Sequence, residues 1–165
     1  MIEGNACRCR WESESERRSG ISGSRKGGGS IWSGRGFEAD IEAAIHRAIR
    51  VLPADETAPR TLIGYSLGAF RALALAQSSG GYPRVMLIGA KVYPDLRALR
   101  AHGVNRLLFA AGSWDMMHDH MQRQSRQLAR AGFDARFLGL GPVGHLFQPS
   151  FAQYLPAALA YLREP

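Results

Sequence analysis

The stretch Arg60-Thr61-Leu62-Ile63-Gly64-Tyr65-Ser66-Leu67-Gly68-Ala69-Phe70-Arg71-Ala72-Leu73-Ala74-Leu75-Ala76 decides how this chain folds. The run up to Ile63 is short and apolar, as in a buried parallel strand. Ala69 to Ala76 is built from strong helix formers. Ser78-Ser79-Gly80-Gly81 then stops the helix. Gly64-Tyr65-Ser66-Leu67-Gly68 lies between strand and helix, a G-x-S-x-G pattern that carries its serine on a sharp turn with the hydroxyl exposed. Both flanking glycines are expected to be required on steric grounds, because a side chain there would meet a neighbouring strand or helix. The plainer alternative is a βα turn whose serine only caps the helix.

A serine hydroxyl is a weak nucleophile at neutral pH. It needs a general base, and the base needs an orienting carboxylate. Two downstream loops offer them. Val104 to Ala111 predicts a strand, followed by Gly112-Ser113-Trp114-Asp115. Phe133 to Leu140 contains another, followed by Gly141-Pro142-Val143-Gly144-His145. In open parallel sheets, sites lie outside the carboxyl ends of the strands, and Ser66, Asp115 and His145 each fall just past such an end. Taken singly, Asp115 also reads as a helix cap and His145 as a packed loop residue.

The other histidines are weaker candidates. His46 falls on an amphipathic helix, and His102 precedes Gly103 at a helix end, where a cation suits the dipole. His118-Asp119-His120 suggests a metal cluster, but residues two apart on a helix diverge. No nearby Cys or Glu completes a ligand set, so a solvated helix start is the expectation and no metal site is assigned.

From about Phe37 to Leu162 the chain resembles the C-terminal portion of an α/β-hydrolase, in the style of small esterases and dienelactone-hydrolase-like proteins. The elbow around Ser66, the Gly112-x-x-Asp115 loop and the Gly144-His145 loop carry the resemblance, in the chain order Ser, Asp, His. It implies Ser66 as nucleophile, Asp115 as orienting acid, His145 as general base and the Leu67 N–H as an oxyanion donor. The implied activity is hydrolysis of a small-molecule carboxylic ester or thioester through an acyl-enzyme, without cofactor. A serine peptidase of the same fold, or an impaired hydrolase-like fragment used for binding, are the alternatives. Tyr65, Trp114 and Phe147 adjoin the proposed site residues and are candidates for substrate contacts.

Length and composition agree with a single α/β domain. The chain has 165 residues, of which 45% are hydrophobic, enough for a substantial core. Its formal net charge is +7, but the basic residues form no tight block. Arg123, Arg126 and Arg130 fall at helical spacing as a solvated face, so no nucleic-acid partner is expected. No apolar run is long enough to span a membrane. Met1 to Ala6 lack a signal-peptide pattern, and Cys7 and Cys9 are the only cysteines. No membrane partner and a cytoplasmic location follow as expectations.

Residues 1–36 are a polar Gly/Ser/Arg-rich tail, expected to be disordered, with Ile31-Trp32 packing onto the body. From Phe37 an apolar helical face repeats through Ile41, Ile45 and Ile49, with Ala44, Ala48 and Leu52 beside it, until Pro53 ends it. The 37–165 domain thus reads as three-layer αβα, with a short, mostly parallel sheet of about four strands and helices on both faces. The resemblance leaves a shortfall: several strands and a donor-bearing loop should precede the elbow strand. Either the tail covers that edge, or another subunit pairs with it through self-association, or the chain is a truncated gene product, which is the preferred expectation.

Overall fold

The computed structural model describes residues 37–51, 58–147 and 149–164. The expectations for 1–36, Leu52 and Pro53 lie outside them. Four strands, β1 (Thr61–Tyr65), β2 (Arg84–Ile88), β3 (Arg106–Ala111) and β4 (Asp134–Gly139), pair in the order β1-β2-β3-β4. Every pairing is parallel. The helices α2 (Leu67–Ser78), α3 (Leu96–Ala101) and α4 (His118–Arg130) connect them. Helix α1 (Phe37–Val51) precedes the sheet, and a 3-10 turn (Pro149–Gln153) with helix α5 (Leu155–Arg163) follows it. Pro156 falls in the first turn of α5, where its missing N–H costs no helical bond.

Each connection steps to the next strand in one direction, so right-handed crossovers place α2, α3 and α4 on one face. There Ala69, Leu73, Ala76, Leu99, Met121 and Leu128 pack onto Val85, Leu87, Leu107 and Phe109. Alternate strand residues point the other way, and Met86, Ile88, Leu108 and Ala110 pack against Ala158, Tyr161 and Leu162 of α5. The α/β, three-layer architecture is the one the alternation of elements predicts, with the sheet wholly parallel.

The amino end of the sheet is locked to the end of α5. The Arg106 guanidinium donates to Asp134 at 2.6 Å and to the carbonyls of Tyr161 and Glu164 at 2.8 and 2.6 Å. The Tyr161 hydroxyl donates to the other Asp134 oxygen at 2.8 Å. Burial pushes the Asp134 carboxyl up, but these bonds outweigh it and hold its pKa below the usual range.

On α1, Ile41 and Ile45 are half-buried, while Ala44 and Ala48 are exposed, so the covered stripe is narrower than the repeat suggests. Among the described residues β1 pairs only with β2. Ile63, Leu67 and Phe70 are exposed on that side. No helix among the described residues is long and apolar enough to cross a membrane.

Glu42 of α1 accepts a 2.7 Å bond from the buried Tyr82 hydroxyl. Burial first, and this bond second, push the Tyr82 pKa up to about 12. An unfolded tyrosine ionises near 10, so the stability this group contributes is complete below pH 10 and is lost as pH rises toward 12. Thermal melts from pH 8 to 12 are expected to fall more steeply in the wild type than in Tyr82→Phe, by of order 2 kcal/mol over the window.

Candidate active site

The elbow is set by backbone geometry. Ser66 has φ 51° and ψ −116°, and it is the one non-glycine residue of positive φ among those described. Its N–H donates to the Ile88 carbonyl at 2.8 Å, and its carbonyl accepts from Ala69 N–H at 3.0 Å. A Cβ on Gly64 would overlap the Gly68 carbonyl, so that glycine is demanded by helix–strand packing. Gly68 differs from expectation: the space where its Cβ would stand is open, because β1 has no described neighbour on that side.

Ser66 does not cap α2, since its side chain makes no capping bond. Its Oγ instead lies 2.9 Å from His145 Nε2. His145 Nδ1 lies 2.9 Å from Asp115 Oδ2. Asp115 is buried, and its carboxylate can only accept. In the neutral ring Nδ1 therefore carries the proton, and Nε2 is left to accept from Ser66. Asp115 Oδ1 takes a 2.9 Å bond from Met117 N–H, so the residue also pins the chain entering α4. Leu67 is the first residue of α2, and an N–H in that position has no acceptor inside its helix.

Two features that bring Asp115 and His145 together carry no sequence signal of their own. The post-β3 and post-β4 loops are zipped by Ser113 N–H to Gly141 O at 2.8 Å and Trp114 N–H to Val143 O at 3.1 Å. A Cβ on Gly112 would overlap the Val143 carbonyl, so the zipper needs glycine there. Beneath the pair sits Gly89, with φ +58°, where a Cβ would stand 3.0 Å from Asp115 Oδ2 and 3.2 Å from the His145 ring. Only its place, a glycine directly after a strand, could have marked it.

Of the three proposed contact residues, Tyr65 stacks on His145 with centroids 5.3 Å apart. Phe147 meets Tyr65 edge-on at 5.4 Å. Burial first, and the Asp115 charge second, push the Tyr65 phenol up. Trp114 is 74% exposed and lies outside the crevice that Tyr65 and Phe147 line. The reading of His118 to His120 as a solvated helix start needs correction. His120 is buried, with Nε2 donating to the Val92 carbonyl at 2.8 Å, while His118 pairs with Asp119 at 3.0 Å. No cluster of three metal-ligating side chains occurs among the described residues.

No family model and no curated protein sequence matches this chain. Solved structures do. The fluorophosphonate-binding serine hydrolase FphF of Staphylococcus aureus superposes with a TM-score of 0.58 at 13% identity, over 76% of this chain and 64% of that one. An esterase structure from Rhizomucor miehei gives 0.56 at 15% identity, over 76% and 58%. SOBER1 of Arabidopsis thaliana gives 0.54 at 18% identity, over 77% and 63%. The chain thus spans less than two thirds of each of these proteins. At such identities the likeness speaks for architecture, and the described part of this chain has an α/β-hydrolase-like fold.

Proposed function

We propose that the protein is a serine hydrolase that cleaves a carboxylic ester or thioester through an acyl-enzyme, with Ser66, His145 and Asp115 as its catalytic triad. One observation carries this: an unbroken relay from Ser66 Oγ through both ring nitrogens of His145 to a buried carboxylate, each step 2.9 Å. The likeness to esterases and serine hydrolases supports the hydrolase class.

In this reading Ser66 Oγ attacks the carbonyl carbon as its proton passes to His145 Nε2. Asp115 holds the resulting imidazolium, and the Leu67 N–H faces the oxyanion. Collapse breaks the bond to the leaving oxygen or sulfur, which takes the proton from Nε2. Water then adds to the acyl-enzyme carbonyl and gives a proton to Nε2. A second collapse releases the acid, and Ser66 recovers its hydrogen.

A fluorophosphonate probe tests it. The expected adduct maps by mass spectrometry to Ser66. A folded protein that labels no more than Ser66→Ala would end the proposal. A second reading, binding without turnover, draws on the edge of β1, which pairs only with β2 among the described residues. The fold's second oxyanion donor comes from a loop that follows an early strand, and losing one such donor costs about 10²–10³-fold in rate.

Gly89 gives a further check. Alanine there adds backbone strain of about 1–3 kcal/mol and presses on both Asp115 and His145. Gly89→Ala is expected to lower kcat by about 100-fold, measured at a temperature where circular dichroism shows the variant still folded.

A further inference from the structure

The two relay bonds hold His145 at opposite corners of its ring, Nδ1 at Asp115 Oδ2 and Nε2 at Ser66 Oγ, each at 2.9 Å. They fix the axis through the two nitrogens and leave the ring free to tilt about it. The side chain is 41% exposed, so the loop does not enclose it. Restraint against a tilt has to come from a face of the ring. Tyr65, the residue before the nucleophile, lays its own ring there, with centroids 5.3 Å apart and planes 25° apart, an offset stack. Tyr65 is itself held. It packs on the core cluster that contains Ile88 and Leu140. Phe147 meets its edge at 5.4 Å and is backed by Phe151 at 4.9 Å. The crevice left among these side chains is about 20 Å³, room for about one water and too little for the phenol to swing into.

We infer that Tyr65 is a positioning residue for the proposed hydrolysis: its ring keeps the His145 imidazole level between Ser66 and Asp115, and its π-face stabilises the imidazolium that forms when the Ser66 proton is taken. The inference rests on the triad proposed above, and it gives Tyr65 a role through the base in place of a substrate contact. Acylation and deacylation both pass through the imidazolium. Asp115 answers that charge at one edge. An aromatic face within about 6 Å of a cation attracts it as well, with no charge of its own. The phenol stays neutral for this purpose, because burial first and the Asp115 charge second push its pKa up. Since the stack acts through the base, its effect is the same for every ester.

Ring chemistry at position 65 tests this. Tyr65→Phe keeps the stack and should retain kcat within about twofold. Tyr65→Leu should lower kcat by about 3–10-fold with KM little changed. The factor should be equal for p-nitrophenyl acetate and p-nitrophenyl butyrate, and fluorophosphonate labelling of Ser66 should slow in step. Phenylalanine with one, two or three ring fluorines in place of Tyr65 preserves the shape while draining the π-face, so it reads the same effect even where the leucine variant folds poorly. kcat is expected to fall stepwise along that series. A flat fluorine series, a leucine variant as active as the phenylalanine one, or a loss that lies in KM and differs between the two esters overturns the inference. Those outcomes leave the triad standing if the wild type is labelled at Ser66. Failure of that labelling removes the triad and the role of Tyr65 together.

Discussion

Ser66→Ala is expected to lower kcat/KM for any hydrolysed ester by about 10⁴–10⁶-fold, and His145→Ala by a similar factor. The double variant should be no worse than either single one. The reason is geometric. Ser66 Oγ and His145 Nε2 lie 2.9 Å apart, and in the proposed mechanism they act as one proton-transfer unit, so removing either half should already remove the whole function of the pair. Folding should be little affected, because the Ser66 hydroxyl makes no cap to α2 and the His145 side chain is 41% exposed. Initial rates on one ester, with thermal melts alongside, check all three variants. Additive losses would mean that Ser66 and His145 act separately.

Asp115→Asn should be the next most damaging change, about 10⁴-fold in kcat. The carboxylate is buried and accepts from two donors, His145 Nδ1 and Met117 N–H, each at 2.9 Å. An amide of nearly the same shape keeps one oxygen for Met117 and turns its NH₂ toward the ring. Nδ1 then becomes the acceptor, Nε2 carries the hydrogen, and Ser66 has no base. The loss should appear in kcat with KM little changed and the fold intact. NMR of the His145 ring should report the reversed tautomer. A variant that retains activity would reduce Asp115 to its second task, holding the chain at the start of α4.

Much of this arrangement was legible because it depends on local rules. The elbow could be read because Gly64 is forced by contact with Gly68, and because strand and helix composition change on either side of Ser66. The parallel register then brings the ends of β1, β3 and β4 to one rim, so three residues from distant loops meet as the strand ends suggest. Non-local features were not legible. The bonds that join Ser113 to Gly141 and Trp114 to Val143 run between main chains, so the side chains at those four positions do not announce them. Gly89 matters for the space it leaves to two side chains from other loops. Gly68 was misjudged because its requirement depends on a neighbour that no described residue provides. His120 was misjudged because a polar tripeptide at a helix start can still turn one ring onto a buried carbonyl. Helix α3 begins at Leu96, directly after Asp95, whose side chain caps it.

The φ of +51° at Ser66 also bears on how this position would change over generations. Glycine occupies such angles freely, so neutral drift under a demand for stability alone would exchange the serine for glycine. A lineage that kept serine there would be holding a backbone that resists its own residue, and only continued use of the hydroxyl explains such persistence. Loss of chemistry in a descendant should therefore be written first at this codon, before the surrounding sheet records any change.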